Sequence, residues 1–252
     1  MESSREIFDE CCVEVASSLA HLGFQYRPRL HSAILTSRDL KFEVHFQSSP
    51  RNYLVPQESA NKLKHVVSKL MPFGDLVMFG KVGFIAHAMV RSKELKVFRK
   101  SLPSSWANDD IVMGDQIGNL HSPARWFEFN LANPITRSKK VGKIRALIDS
   151  VALPYFEVFQ NPADVIARLL DGSMPWTWEP NALEYVCCFG GADQAAQLLN
   201  EYIKRSADRR DEYHESLLRY RANGIPQVWD SGLPGRLAKA AIVLGLDGDP
   251  VK

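Results

Sequence analysis

Glycines and polar side chains interrupt one apolar stretch of the chain, residues 111–126 (IVMGDQIGNLHSPARW). Its candidate binding residues are Asp115, Gln116, Asn119 and His121. Glycine and polar residues within a strand are typical of a place where a ligand or another chain closely approaches the backbone. The alternative is a structural role, in which a bulged edge strand leads into a turn that these side chains cap. We expect the four residues to lie at or beside the main concave surface.

Titratable residues of this stretch could also do acid–base chemistry. Asp115 and His121, with His87 from an earlier apolar stretch, are candidates for a hydrolase or nuclease-like site assembled from dispersed residues. Such a site leaves little trace in sequence, so the sequence leaves open whether the chain is an enzyme. For His87 the alternative is a hydrogen-bonded core histidine. His45 also lies on a predicted strand, where the two histidines could become neighbours.

Familiar catalytic, nucleotide-binding and metal-binding motifs are missing from the sequence. It contains no GxSxG, no HExxH, no GxGxxG and no phosphate-binding loop. The cysteines form two adjacent pairs, Cys11-Cys12 and Cys187-Cys188. Neighbouring side chains on a helix point about a quarter-turn apart, so we interpret these cysteines as small buried residues rather than metal ligands. We expect neither a metal nor a cofactor.

Basic residues cluster in residues 91–100 and again in residues 137–145. Such clusters could contact phosphates, but the formal net charge of the chain is only +2. Aromatic residues that would stack on bases are not interleaved with them. We interpret both clusters as solvent-facing helix surfaces, with Arg99 among the outward-facing residues, and do not expect a nucleic-acid partner.

The surrounding elements follow from hydrophobic periodicity. Ser3 and Glu6 predict a capping box at the start of a helix that Gly23 ends. Residues 40–47 (LKFEVHFQ) alternate, which predicts a strand with one buried face and one wet face, the latter carrying Glu43 and His45. Further strands are expected at 82–90, 111–120 and 126–131, a loop at 48–60, and helices at 61–70, 92–100 and 141–151.

The hydrophobic periodicity becomes helical towards the C-terminal end of the chain. Asn161-Pro162 predicts a helix start, and everything from Asn181 onward has helical periodicity. The fold class we predict is α+β: an antiparallel sheet packed with helices, followed by an all-helical C-terminal region. The predicted domains are an α+β domain at 1–172 and a helical region at 181–252.

Localisation is predicted from two features. The sequence has no apolar run of about 18 residues, which a membrane-spanning helix would need. Its N-terminal residues MESSRE lack the basic segment and apolar run of a signal peptide. We therefore expect a cytoplasmic protein with reduced thiols and without a membrane partner.

Several short motifs occur in a familiar order: GF at 23–24, FQSS at 46–49, GNL at 118–120 with Trp126, and LPYF at 153–156. Over residues 5–171 this order resembles bacterial proteins of the domain of unknown function 4304 family. The resemblance implies an α+β fold and a bacterial origin, and it brings no activity, cofactor or site residue. The helical region from Asn181 lies outside it.

The leading functional hypothesis is a non-enzymatic protein-interaction protein, of which a cytoplasmic immunity or antitoxin protein is one type. It rests on the missing catalytic motifs, the α+β core and the helical appendage. The alternative is the hydrolase or nuclease-like enzyme with dispersed Asp and His residues. Both hypotheses leave the oligomeric state open.

Salt dependence tests the interpretation of the basic clusters. If they only solvate helix surfaces, binding of DNA or RNA at physiological ionic strength should be negligible in a fluorescence-anisotropy titration. Submicromolar binding that weakens steeply with added salt would contradict it, because that slope reports counterions released from phosphates.

Overall fold

The computed structural model describes residues 2–56, 78–103, 110–121, 123–175, 179–205, 207–225 and 232–246. The chain divides into two compact units, each made of two stretches. Unit 1 comprises Met1–Met89 and Gly114–Phe156, and unit 2 comprises Val90–Met113 and Glu157–Lys252. This division differs from the contiguous domains predicted from sequence, because the chain enters unit 2 at residue 90 and returns to unit 1 at residue 114.

The fold class is α+β, as predicted. The strands are β1 (Gln25–Arg27), β2 (Ser32–Ser37), β3 (Leu40–Ser48), β4 (Tyr53–Leu54), β5 (Gly80–Lys81), β6 (Gly83–Ser92), β7 (Ile111–Gln116) and β8 (Phe129–Asn130). The main sheet has the order β1-β2-β3-β6-β7, with β8 also paired to β6, while β4 and β5 form a separate two-stranded sheet. Pairs β1–β2, β2–β3, β4–β5 and β6–β8 are antiparallel.

The helices are α1 (Ser4–Ser17), α2 (Lys93–Ser101), α3 (Pro134–Leu147), α4 (Leu153–Val158), α5 (Pro162–Asp171), α6 (Glu179–Gly190), α7 (Ala192–Lys204), α8 (Ala207–Asn223) and α9 (Leu233–Val243). Two predicted helix starts are confirmed. Ser3 and Glu6 form the capping box of α1, and the Asn161 side chain accepts from the Ala163 N–H at the start of α5. Both caps satisfy backbone donors that have no partner within the helix.

The core of unit 1 lies on one face of the sheet, called here the first face. Phe42, Phe46 and Phe84 are buried on it. The rings of Phe8 from α1 and Phe84 have centroids 5.4 Å apart, and those of Phe156 from α4 and Phe42 are 5.2 Å apart. Aromatic rings at this separation bury large apolar areas and fix the helices against the strands.

The predicted loop at 48–60 was wrong at its centre, because Tyr53–Leu54 pairs with Gly80–Lys81. The predicted strand 126–131 is reduced to Phe129–Asn130, which pairs with the start of β6. The strand predicted at 111–120 ends at Gln116 and gives way to a 3-10 helix at Ile117–Leu120. The helix predicted at 61–70 lies outside the described residues.

Unit 2 contains a buried ion pair. Arg99 Nε of α2 donates to Glu184 Oε2 of α6 at 2.7 Å, and both side chains are fully buried. Arg99 Nη1 also donates to the Ile111 carbonyl oxygen at 2.6 Å, which ties the start of β7 to both helices. The prediction that Arg99 faces outward was wrong, because its charge is compensated by a carboxylate from a distant part of the sequence.

Removal of one partner from this pair should destabilise the chain strongly. Glu184→Ala leaves a guanidinium buried without its carboxylate, which should cost about 3–5 kcal/mol in urea unfolding. The double variant Arg99→Met/Glu184→Leu should recover much of that loss, because it removes both charges. As a control, Glu201→Ala removes a carboxylate from the exposed pair with Lys204 and should change stability little. Equal effects of Glu184→Ala and Glu201→Ala would contradict this account.

Candidate functional site

A loop in unit 1 is closed at its base by the side chain of Gln116. The Gln116 Nε2 donates to the Phe127 carbonyl oxygen at 2.7 Å, and its Oε1 accepts from the Gly118 N–H at 2.7 Å. Gln116 is only 2% exposed, so both ends of its amide need protein partners. We call residues 117–127, described apart from residue 122, the clasped loop.

Gly118 holds the two ends of the clasped loop together. Its carbonyl oxygen accepts from the Arg125 N–H at 2.9 Å and from the His121 N–H at 3.2 Å. A Cβ at this position would overlap the carbonyl oxygen of Arg125 and crowd the ring of Phe127. Only glycine therefore allows the two sides of the loop to approach this closely.

Asp115 and Asn119 bond to each other at the entrance to the clasped loop. The Asn119 Nδ2 donates to Asp115 Oδ1 at 2.7 Å, and the same oxygen accepts from the Gln116 N–H at 2.6 Å. These bonds, with those of Gln116, give the segment the capped-turn arrangement that was the alternative to a binding role. Asp115 and Asn119 are nevertheless half-exposed, and His121 is exposed. The binding role of the four predicted residues stays a prediction.

Sequence reasoning missed the most exposed aromatic residue of this loop. Trp126 is 61% exposed, next to the exposed Arg125. The signal that could have found it is a tryptophan beside a basic residue in a polar, proline-containing segment. Tryptophan and arginine are over-represented among the residues that carry most of the energy of protein interfaces.

Two histidines lie together on the second face of the sheet, opposite the first face. The ring centroids of His45 on β3 and His87 on β6 are 6.1 Å apart, so the neighbours suggested by the sequence are neighbours in the fold. The Nε2 of His87 lies 2.8 Å from Gln47 Oε1, an oxygen that can only accept. The His87 Nε2 therefore carries the proton, and its Nδ1 presents a lone pair.

Beside this pair lies a hydrogen-bond chain that begins at a buried carboxylate and ends at the half-exposed His45. The Ser32 hydroxyl donates to Glu43 Oε1 at 2.7 Å, and His45 Nδ1 lies 3.1 Å from the same hydroxyl and 3.2 Å from the Leu30 carbonyl oxygen. Glu43 and Ser32 are both buried, so the prediction that Glu43 lies on a wet face was wrong. The Ser32 hydroxyl supplies part of the hydrogen bonding that a buried carboxylate requires.

The electrostatic surroundings of His87 favour the neutral imidazole. Burial lowers the pKa of His87 below its ordinary value, His45 lowers it further, and the Asp115 carboxylate opposes both. Because protonation is easier in the unfolded chain, the stability that His87 contributes is present above its ordinary pKa and decreases as the pH falls below it. His87 is accordingly neutral at pH 7, and Asp115 is close enough to influence its charge.

Of the three candidates for acid–base chemistry, His87 and Asp115 influence each other electrostatically. The Asp115 carboxylate raises the pKa of His87 against the effects of burial and His45, but among the described residues no hydrogen bond or ion pair joins the two side chains. His121 lies on the clasped loop with an exposed side chain. Among the described residues, no hydrogen bond joins His121 to either of the other two. A general base needs a fixed tautomer, and the Gln47 contact gives His87 one.

The cysteines have no activated thiolate. Cys11 and Cys12 are buried, as predicted, whereas Cys187 and Cys188 are partly exposed. Burial raises the pKa of Cys11 to about 11 and that of Cys188 to about 12, and it also raises the pKa of Cys12 and Cys187. Thiols of this kind are weak nucleophiles at neutral pH. No three His, Cys, Asp or Glu side chains of the described residues are arranged to hold a metal ion.

Comparison of the chain with protein-family models, with curated proteins and with solved structures finds no match. Within the described part of the chain, no helix is both long and apolar enough to cross a membrane.

A matched pair of glycine substitutions tests the closure of the clasped loop. Gly118→Ala should destabilise the chain by about 1–3 kcal/mol in urea unfolding, because its methyl group cannot fit without separating the ends of the loop. Gly142→Ala, where an added Cβ meets nothing, should stabilise α3 by about 0.5–1 kcal/mol. The loop description fails if Gly118→Ala is tolerated as well as Gly142→Ala.

Proposed function

We propose that this chain is a non-enzymatic interaction protein that docks its protein partner on the clasped loop. An immunity or antitoxin protein would be one instance of this class. The observation that carries the proposal is the large exposed side chain of Trp126 on a loop whose base is held by Gln116 and Gly118.

Closure of the loop lowers the cost of binding. An ordered loop that is already held in its bound shape loses less conformational entropy when the partner arrives. The four hydrogen bonds that Gln116 and Gly118 make at the base supply that order before any partner is present. A tryptophan on such a loop can bury a large apolar area while only two torsions become fixed.

The neighbours of Trp126 have the composition expected of a docking surface. Arg125 precedes it, and His121 lies across the turn at Gly118, so aromatic, cationic and polar groups are presented by one short segment. Interfaces are enriched in Trp and Arg relative to the rest of the surface. The proposal is therefore supported both by the hydrogen bonds that hold the base of the loop and by the aromatic, cationic and polar side chains on it.

A second candidate is the hydrolase or nuclease-like enzyme. One observation favours it: His87 is neutral, has a fixed tautomer and interacts with the Asp115 carboxylate, which are properties of a general base. If the chain is such an enzyme, we expect it to turn over a generic phosphodiester or ester substrate, and we expect His87→Gln to abolish that turnover. Such turnover would favour this candidate over the first.

Truncation of Trp126 tests the docking loop. The tagged chain, its Trp126→Ala variant and its Ile135→Ala variant are each purified from the source cells under the same conditions. We expect one stoichiometric protein partner with the parent chain and with Ile135→Ala, and its loss with Trp126→Ala. With the identified partner, Trp126→Ala should weaken binding by about 2 kcal/mol, or ~30-fold in Kd, by calorimetry.

Ile135 is a suitable control because it is 84% exposed and lies in the first turn of α3, outside the clasped loop. Its truncation removes exposed apolar surface of another part of unit 1. Neither substitution should change the melting temperature by more than a few degrees, since both side chains face solvent. Retention of the partner by Trp126→Ala, at unchanged affinity, would refute the docking loop.

A further inference from the structure

The imidazoles of His45 and His87 lie side by side on the second face, and both are half-exposed. The Nδ1 of His45 lies 3.2 Å from the Leu30 carbonyl oxygen, which can only accept a hydrogen bond. The Ser32 hydroxyl donates its proton to Glu43 Oε1, so its oxygen accepts from the same Nδ1 at 3.1 Å. Nδ1 of His45 therefore carries the proton, and Nε2 is its basic nitrogen.

His87 is held in the opposite tautomer. Its Nε2–H donates to Gln47 Oε1 at 2.8 Å, which makes Nδ1 the basic nitrogen of this ring. Burial and the neighbouring His45 lower the pKa of His87, so the ring is neutral at pH 7 and keeps its lone pair. The two strands thus present two imidazoles, and on each ring the protonated nitrogen is held by an oxygen acceptor.

This hydrogen-bond pattern is typical of histidines that bind metal ions. A ligating imidazole almost always donates its second N–H to a fixed acceptor, which sets both the tautomer and the orientation of the ring. His45 donates to a backbone carbonyl and, through Ser32, is linked to the buried carboxylate of Glu43. His87 donates to the side-chain carbonyl of Gln47. Acceptors behind an imidazole also increase its basicity towards a metal ion.

The spacing of the two rings fits a single ion between them. A metal–nitrogen bond of about 2.1 Å places the ring centroid ~3.2 Å from the ion, so two imidazoles on one ion have centroids at most about 6.4 Å apart. The centroids of His45 and His87 are 6.1 Å apart. A tetrahedral angle at the ion corresponds to a separation of about 5.2 Å, which a rotation of these half-exposed side chains can supply.

We infer that His45 Nε2 and His87 Nδ1 together bind one divalent transition-metal ion that prefers imidazole, such as Zn²⁺ or Cu²⁺. Among the described residues no third His, Cys, Asp or Glu side chain completes the site, so water or a further ligand takes the remaining coordination positions. Hard cations such as Mg²⁺ prefer oxygen ligands and are not expected to bind. The inference goes beyond the proposed function and does not depend on the clasped loop.

The test is a titration of the untagged, full-length chain with Zn²⁺, Cu²⁺ and Mg²⁺ at pH 7. Calorimetry gives the stoichiometry and the affinity, and NMR of the imidazole nitrogens shows which atoms bind Zn²⁺. We expect one Zn²⁺ per chain, tighter binding of Cu²⁺, and no binding of Mg²⁺. During the Zn²⁺ titration, the signals of His45 Nε2 and His87 Nδ1 should shift together and saturate at one equivalent.

Substitution of either histidine should weaken the site. His45→Gln and His87→Gln should each lower the Zn²⁺ affinity by more than about tenfold, because a single imidazole then remains. The matched control is His21→Gln, which removes an exposed imidazole elsewhere in unit 1 and should leave the affinity unchanged.

Two results would overturn the inference. The first is Zn²⁺ that shifts neither ring, or only one of the two. The second is an affinity for Zn²⁺ that is equal in the parent chain and in the folded His45→Gln and His87→Gln variants. The NMR comparison is made on the parent chain, so it decides the inference even where a variant does not fold.

Discussion

The buried amide of Gln116 is the constraint on which the candidate site depends. A primary amide that is buried away from water destabilises the folded chain unless both its donor and its acceptor find partners. Here those partners are the Phe127 carbonyl oxygen and the Gly118 N–H, on opposite sides of one loop. The requirement to satisfy the amide is thus what closes the loop, and the close approach at Gly118 is possible because that residue has no side chain.

Unit 2 also contains a buried polar side chain that needs partners, the guanidinium of Arg99. Because this group is charged, its removal from water costs more free energy than that of a neutral amide. Arg99 brings a full charge into the interior, where the Glu184 carboxylate and the Ile111 carbonyl oxygen help to compensate it. Such a pair adds little net stability compared with an apolar substitute, but it penalises any arrangement in which the two helices do not meet. It therefore specifies how α2 and α6 pack more than how strongly they pack.

Local sequence patterns correctly predicted those features of the fold that join residues close together in the chain. The capping box at Ser3 and Glu6 and the cap at Asn161 each join residues two or three positions apart, so the sequence displays both partners. The alternation that buries Phe42 and Phe46 is equally local. The fold class followed from such patterns.

The errors occurred where a partner comes from a distant part of the chain. Arg99 looked like one more basic residue of an outer helix face because Glu184 lies 85 positions away. Glu43 looked exposed because strand alternation carries no information about what covers the second face. The segment after Gln116 looked like a continued strand, since the carbonyl that captures its amide is 11 residues further on. Side-chain hydrogen bonds of this range compete with the sheet ladder and leave no periodic trace.

In the proposed function, the side chains of the clasped loop would contribute different things to recognition. An exposed tryptophan would supply affinity that is nearly independent of partner sequence, because burial of its ring stabilises contact with any complementary apolar surface. Arg125, one residue before Trp126, would favour a partner that presents an acidic group beside its apolar surface, and it would disfavour one that presents a basic group there. A charge next to an apolar anchor would also help to fix the orientation of the partner, because a rotated complex would lose the complementary contact.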